Sequence, residues 1–218
     1  MLDHLHQSAH LVELFKERGK KQLYRKGDFI IRPDEAPTGV FYIEEGLVKA
    51  YDITKYNEEN LLIIRKPEEL FPLIWAITGQ ERHVIYQALA ATTTWRISRR
   101  QFIEAVEKDT NLLAPLLTMT LEMYRLHSER ILNLEYRTVR ERIISFLLTM
   151  SLRFGHTEEG GDVVIEVPLR HQDIASSINA TRETTSRELS ALERKGLIAN
   201  QRSFIILKDI EALQHYLS

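Results

Sequence analysis

The chain contains no cysteine. That excludes disulfides, thiolate zinc sites, cysteine-held iron–sulfur clusters and a cysteine nucleophile. Charge of one sign is lacking too: 29 Lys and Arg stand against 31 Asp and Glu, a formal net charge of −2. A surface this close to neutral is not that of a polybasic protein drawn to phosphate everywhere, so any nucleic-acid contact has to come from a local patch. No apolar run approaches the roughly 18–20 residues that cross a bilayer. The start, Met1-Leu-Asp-His-Leu-His-Gln7, has neither the basic opening nor the apolar stretch of a signal peptide. The expectation is a soluble, cytoplasmic protein with no membrane contact. What is present is ordinary globular material: 218 residues, 44% hydrophobic and 28% charged, enough for one large domain or two small ones.

Residues 22–97 read as short strands broken by turns. Phe29-Ile-Ile31 is followed by Pro33, Pro37 and Gly39, and Val40-Phe-Tyr-Ile43 leads through Glu44-Glu-Gly46 into Leu47-Val-Lys-Ala-Tyr51. The last pair predicts a hairpin with glycine at its turn. Leu61–Ile64, Val84–Leu89 and Thr92–Ile97 continue the pattern. Strands at this spacing predict an antiparallel sandwich or barrel.

The apolar period then changes from two to about 3.6. Ser98 is placed to cap a helix through Lys108 that buries Phe102, Ile103 and Val106. A second helical stretch runs from near Asp109 to Tyr136, with Pro115 in its first turns. It carries two apolar stripes: Leu113, Leu117, Thr120, Tyr124, His127, Ile131, Leu134, and Leu112, Leu116, Met119, Met123, Leu126. One stripe can pack on the chain's own domain and the other on a second copy, as in a coiled-coil homodimer; the alternative is a helix buried inside one chain. A further helix, Val139 to Phe154, ends at Gly155, and residues 157–162 form the clearest loop. Val163–Val167 is then a strand stopped by Pro168.

Residues 169–207 carry the most specific pattern. A helix from His171 to Ile178 turns Ile174 and Ile178 inward, and Ala175 is small enough for a second helix to cross closely. Asn179 suits a left-handed turn. Thr181 can cap a second helix to Lys195, stopped by Gly196. On that helix Thr185, Leu189 and Leu192 share one face, while Arg182, Glu183, Ser186, Arg187, Ser190 and Arg194 share the other. This is a helix-turn-helix, and Leu197-Ile198 with Phe204–Leu207 would form the wing. Arg can donate two bonds to guanine and Glu can accept from cytosine. Phosphate contacts are expected from Arg202 in the wing and from His171, Gln172, Thr181 and Thr184. The bland alternative is a solvated charged face, since residues 162–203 hold six basic and six acidic side chains.

Arg182-Glu-Thr-Thr-Ser-Arg187, preceded by Gln172-Asp-Ile-Ala175 and followed by Leu192-Glu-Arg-Lys-Gly-Leu-Ile198, resembles the Crp-Fnr superfamily of bacterial transcription regulators. Phe41–Lys49 looks like that family's effector-domain jelly roll, Gly27-Asp28 fits its early turn, and the long helix is similar to its dimerisation helix. The resemblance covers nearly the whole chain. It implies an α+β fold: an antiparallel β jelly roll (1–108), a dimerisation helix (109–137) and a winged helix-turn-helix domain (138–218). It further implies that Arg182, Glu183 and Arg187, with Ser186 beside them, read bases, Arg182 and Glu183 sharing a G·C pair. Double-stranded DNA, a second copy joined through Leu113, Leu117, Tyr124, Ile131 and Leu134, and RNA polymerase are the implied partners. A symmetric dimer requires a palindromic operator with half-sites about one helical turn apart.

The sequence departs from the cyclic-AMP-binding members of that family. Where their phosphate cassette has Gly-Glu, this chain has Phe71-Pro72, and where Arg is followed by a small hydroxyl it has Arg82-His83. The adenine-contacting threonine position is His127, followed by Ser128. Cyclic AMP is therefore not the expected effector, because its polar groups would be left unpaired at about 1–3 kcal/mol each. Arg82, His83, His127 and Ser128 remain candidates for a pocket taking an unknown small-molecule effector, Arg82 being equally readable as half of a structural ion pair. His83 and His127 are the histidines that could face a haem, though each also reads as an ordinary surface histidine, and no cofactor is assigned. No nucleophile–base constellation, phosphate-cradling glycine loop or His-Glu-x-x-His spacing occurs, so no catalytic or metal site is expected. A second reading keeps the fold but makes the chain a ligand-sensing or protein-interaction module whose helix-turn-helix does not bind DNA.

Overall fold

The short strands read in the first half become two four-stranded antiparallel sheets. This computed structural model describes residues 4–201 and 203–217. The chain divides into two units, one running to Glu58 and resuming at Leu62–Arg125, the other joining Glu59–Leu61 to Leu126 and beyond.

In the first unit, β1 (Lys20–Tyr24), β8 (Thr92–Ile97), β3 (Val40–Glu45) and β6 (Leu70–Phe71) form one sheet in that order. The other runs β2 (Phe29–Ile31), β7 (Ile85–Ala88), β4 (Val48–Ile53), β5 (Glu59–Arg65). Ile31, Phe41, Ile43, Val48, Ala50, Phe71 and Tyr86, drawn from both sheets, make one core cluster. The other face of the β1–β8–β3–β6 sheet is covered by helices. Leu11, Leu14 and Phe15 of α1 (His4–Arg18) and Phe102 and Ala105 of α3 (Arg99–Lys108) close on Val40, Tyr42 and Ile97. Each such Leu, Val, Ile or Phe side chain taken fully from water stabilises the fold by about 1.5–3 kcal/mol.

The expected hairpin between Val40 and Tyr51 does not form. β3 pairs with β8 and β6, while β4 pairs with β7, so the two strands lie in different sheets. Gly46, at φ 91°, is where the chain crosses between them. A Cβ there would sit 2.3 Å from the Ala91 carbonyl oxygen and 2.6 Å from Thr92 Cα, so only glycine allows this crossing. The capping of α3 is as expected: Ser98 accepts from the Gln101 N–H and Gln101 closes the box. Its buried side is Phe102 and Ala105, with Ile103 and Val106 only partly covered.

A 3-10 turn at Thr110–Leu112 leads into α4 (Leu113–Tyr136), with Pro115 in the first turn, where the missing N–H has no partner to lose. In the second unit α5 (Val139–Phe154) begins with a capping box between Thr138 and Glu141. β9 (Gly155–Thr157) and β10 (Val163–Ile165) flank the expected loop and join β12 (Phe204–Leu207) and β11 (Ile198–Gln201) in one antiparallel sheet. Between them lie α6 (His171–Ser177) and α7 (Arg182–Arg194), and α8 (Ile210–His215) follows the sheet. Helices α1, α2 (Leu73–Thr78) and α8 and strands β6 and β9 were not expected from the sequence. No described helix is long and apolar enough to cross a membrane.

Candidate nucleic-acid interface

Ile174, Ala175, Ile178, Leu189 and Leu192 are buried where α6 and α7 meet, together with the methyl-bearing Thr185. Asn179 makes the turn at φ 52°, and the Ala180 N–H returns to the Ala175 carbonyl at 3.0 Å. Asn tolerates this left-handed backbone better than other residues with a Cβ. Thr181 accepts from the Thr184 N–H at 3.1 Å and donates its own hydroxyl to Thr184 Oγ1 at 3.0 Å. That cap fixes the first turn of α7.

Two arginines of α5, unforeseen in the sequence, hold this motif. Arg142 donates to the carbonyls of Ile178 (2.8 Å) and Asn179 (3.4 Å), satisfying oxygens that the end of α6 leaves exposed. Arg140 donates to Glu188 of α7 at 2.7 Å. At the start of α6, buried Asp173 accepts the Arg170 backbone N–H at 2.9 Å and is gripped by its guanidinium at 2.9 and 3.0 Å. The Arg140 and Arg142 contacts join residues 36 to 48 positions apart, which local pattern cannot reveal.

With one face buried, α7 turns Arg182, Glu183, Arg187, Ser190 and Arg194 to solvent. Ser186 is half-buried, its Oγ 2.7 Å from Nδ1 of His171, the first residue of α6. Gln172, beside it, is exposed. β11 and β12 pair from Ile198↔Leu207 to Gln201↔Phe204, forming the wing. Arg202 lies outside the described residues. The structure thus gathers Arg182, Glu183, Ser186, Arg187, His171, Gln172 and Thr184 on two adjoining helices, with Thr181 at the cap of the second.

The effector candidates are more scattered. Arg82 and His83 are exposed between α2 and β7, His83 lying 3.7 Å from the Asp34 carboxylate. His127 is exposed and Ser128 half-buried on α4. The roll interior is occupied by aromatic rings: Phe71 stacks on Phe41 at 5.1 Å and on Tyr86 at 4.7 Å. Burial pushes the Tyr86 hydroxyl above its ordinary pKa, against the opposing pull of Arg65 and Arg82. Arg65, itself buried, donates to Glu69 at 3.5 Å and to Met123 Sδ at 3.0 Å. Among the described residues, no group of three or more His, Asp or Glu is arranged to hold a metal ion.

On α4 the two apolar stripes separate by environment. Leu112 and Leu116 are core residues and Met119 packs against the same cluster. Leu113, Leu117, Tyr124, Ile131 and Leu134 are exposed, Tyr124 at 72% and Leu117 at 59%.

Two family models match this chain: a cyclic nucleotide-binding domain over residues 21–109 and a Crp-like helix-turn-helix domain over 141–216. The global nitrogen regulator of Synechococcus elongatus is 27% identical over 216 residues, 95% of this chain and 97% of that one. The nitrogen fixation regulation protein FixK of Azorhizobium caulinodans is 24% identical, covering 95% and 83%. The solved structure of FixK2 from Bradyrhizobium japonicum superposes with a TM-score of 0.77 at 25% identity, covering 90% of this chain and 96% of that one. The two models follow one another along this chain, these relatives match 90–95% of its length, and the chain belongs to the Crp-Fnr superfamily of transcription regulators.

Proposed function

We propose that this regulator acts as a homodimer that reads a palindromic operator through α7 and does not answer to cyclic AMP. The observation that carries the reading is the exposure of Arg182, Glu183 and Arg187 on α7, opposite the buried Thr185, Leu189 and Leu192. Rigidly presented Arg and Glu side chains are the chemistry that distinguishes G·C edges in the major groove. Ser186 sits among them, and His171, Gln172, Thr181, Thr184 and Arg202 are assigned to the phosphate backbone.

The second copy docks on the exposed stripe of α4, because the other stripe is already committed to the core. The functional division follows: residues 1–108 as effector-type roll, 109–137 as dimerisation helix and 138–218 as DNA-binding domain. The place of work is the cytoplasm, and RNA polymerase is the further partner. No catalytic activity is assigned.

Against cyclic AMP stand Phe71, fully buried in the aromatic stack, and Pro72, which has no N–H to offer a phosphate. Arg82, His83, His127 and Ser128 are left as the groups from which another effector's pocket would be built.

The test is selection of binding sites from a random duplex pool by purified protein without added ligand, with Arg182→Ala alongside. Enrichment of a palindrome by the wild type alone is expected. If the wild type enriches nothing, with or without cell extract, the helix-turn-helix is structural and the interaction-module reading takes its place.

A further inference from the structure

We infer that His171 is a positioning residue for Ser186: it fixes the hydroxyl as a hydrogen-bond acceptor and so decides which bases α7 accepts at one position of each half-site. The inference rests on the reading of α7 as the DNA-reading helix. Its starting point is the 2.7 Å contact between His171 Nδ1 and Ser186 Oγ, which joins the first turn of α6 to the middle of α7.

An unrestrained serine hydroxyl discriminates poorly. It carries one donor and two acceptor lone pairs and rotates to suit its partner, so it can meet any base edge. Ser186 is not unrestrained, because the imidazole occupies one of its hydrogen-bonding directions. In a neutral ring one nitrogen donates and the other accepts. With the proton on Nε2, Nδ1 accepts the Ser186 O–H. The serine then has only lone pairs left to turn toward the groove. Lone pairs match the exocyclic amino groups of adenine and cytosine and repel the carbonyl oxygens of guanine and thymine.

The tautomer is in turn set by what the other nitrogen meets. A phosphate oxygen at Nε2 accepts a proton and offers none, so it holds the hydrogen on Nε2 and leaves Nδ1 as the acceptor. One ring thereby links two kinds of contact on different helices: docking on the backbone orients the hydroxyl that reads the base. Glu183, one helical turn before Ser186, is acceptor-only by its charge. Ser186 becomes acceptor-only through His171, whereas Arg182 and Arg187 supply donors alone.

The experiment is parallel site selection from a random duplex pool with wild type, Ser186→Ala, His171→Phe and His171→Asn, each checked for native melting. Ser186→Ala and His171→Phe are expected to lose the same adenine-or-cytosine preference at the same single base pair per half-site, by about three- to tenfold. The rest of the profile should be unchanged. His171→Asn, whose amide oxygen can replace Nδ1 as acceptor, should restore the preference. If His171→Phe weakens all sequences alike and leaves the profile intact, His171 is a phosphate contact only and the inference is overturned. A change at a different base pair from Ser186→Ala overturns it too. A wild type that selects no palindrome removes the reading beneath it, a result separable from either of those.

Discussion

Phe71 lies face to face with Tyr86, ring centroids 4.7 Å apart and planes tilted by 18°, in the core of the β-roll. Both rings are buried, and Phe41 extends the stack. Offset-stacked aromatics contribute about 0.5–1.5 kcal/mol beyond the area they bury. Phe71→Ala is expected to destabilise the protein by about 3–5 kcal/mol in urea unfolding. Millimolar cyclic AMP should leave the melting temperature of the wild type where it is, since a ligand that binds only the folded state must raise it. A rise saturating in the micromolar range would show that the stack opens for the nucleotide.

Asn179 turns the chain between α6 and α7 at φ 52°. Asn179→Gly removes the Cβ and should change stability by a few tenths of a kcal/mol. Asn179→Val places a β-branched side chain in left-handed backbone and should cost about 1–2 kcal/mol. DNA binding by the valine variant should fall more than its stability alone accounts for, because this turn sets the angle of α7. Equal loss in both variants would mean that backbone conformation is not what selects Asn here.

Elements of the helix-turn-helix could be read from the sequence because each signal is local. The Thr181 cap, the left-handed Asn179 and the Gly196 stop at φ 72° all sit within a turn of what they control. The strands of the roll are legible as short apolar runs between turn residues, yet their pairing is not. Such a run marks a strand and says nothing about its neighbour, so β3 and β4, contiguous in sequence, read as a hairpin although each pairs elsewhere. Helix α2, Leu-Ile-Trp-Ala-Ile-Thr, is too short and too uniformly apolar to show a period. At the site, the residue types on α7 were legible, but the supports from Arg140, Arg142 and His171 span dozens of positions or cross between helices. They exist only once the tertiary fold does.

The exposed stripe of α4 makes a prediction about assembly. Leu117→Glu puts a charge on a surface that is 59% exposed in one chain, so the fold should tolerate it while self-association weakens by at least about tenfold. Sedimentation equilibrium reads the dissociation constant directly. The adjacent Leu116→Glu is the contrasting control. Its side chain is buried in the roll-side core, and the substitution should unfold the first unit rather than release a folded monomer. If Leu117→Glu remains dimeric at nanomolar concentration, the second copy docks elsewhere.

Acid stability should depend on the carboxylates that cap and tie elements. Glu141 is held below the usual carboxylate range, first by the Thr138 backbone N–H at 2.7 Å and then by the Thr138 hydroxyl at 2.8 Å. Glu44 is lowered chiefly by its hydrogen bond with Lys21, and Asp109 chiefly by the Asn111 N–H. A carboxylate whose pKa is lower folded than unfolded adds stability that is complete above its unfolded pKa, about 4.3 for Glu. That contribution is lost as pH falls through the folded value. Urea midpoints should therefore hold steady from pH 7 to about pH 5 and decline below it. Glu141→Gln keeps an acceptor for the Thr138 N–H but has no charge to neutralise, so its decline between pH 5 and pH 3 should be shallower than that of the wild type. Thr138→Ala, which removes the other half of the box, should cost about 0.5–2 kcal/mol at every pH. Parallel acid limbs for wild type and Glu141→Gln would place the acid-labile groups outside this cap.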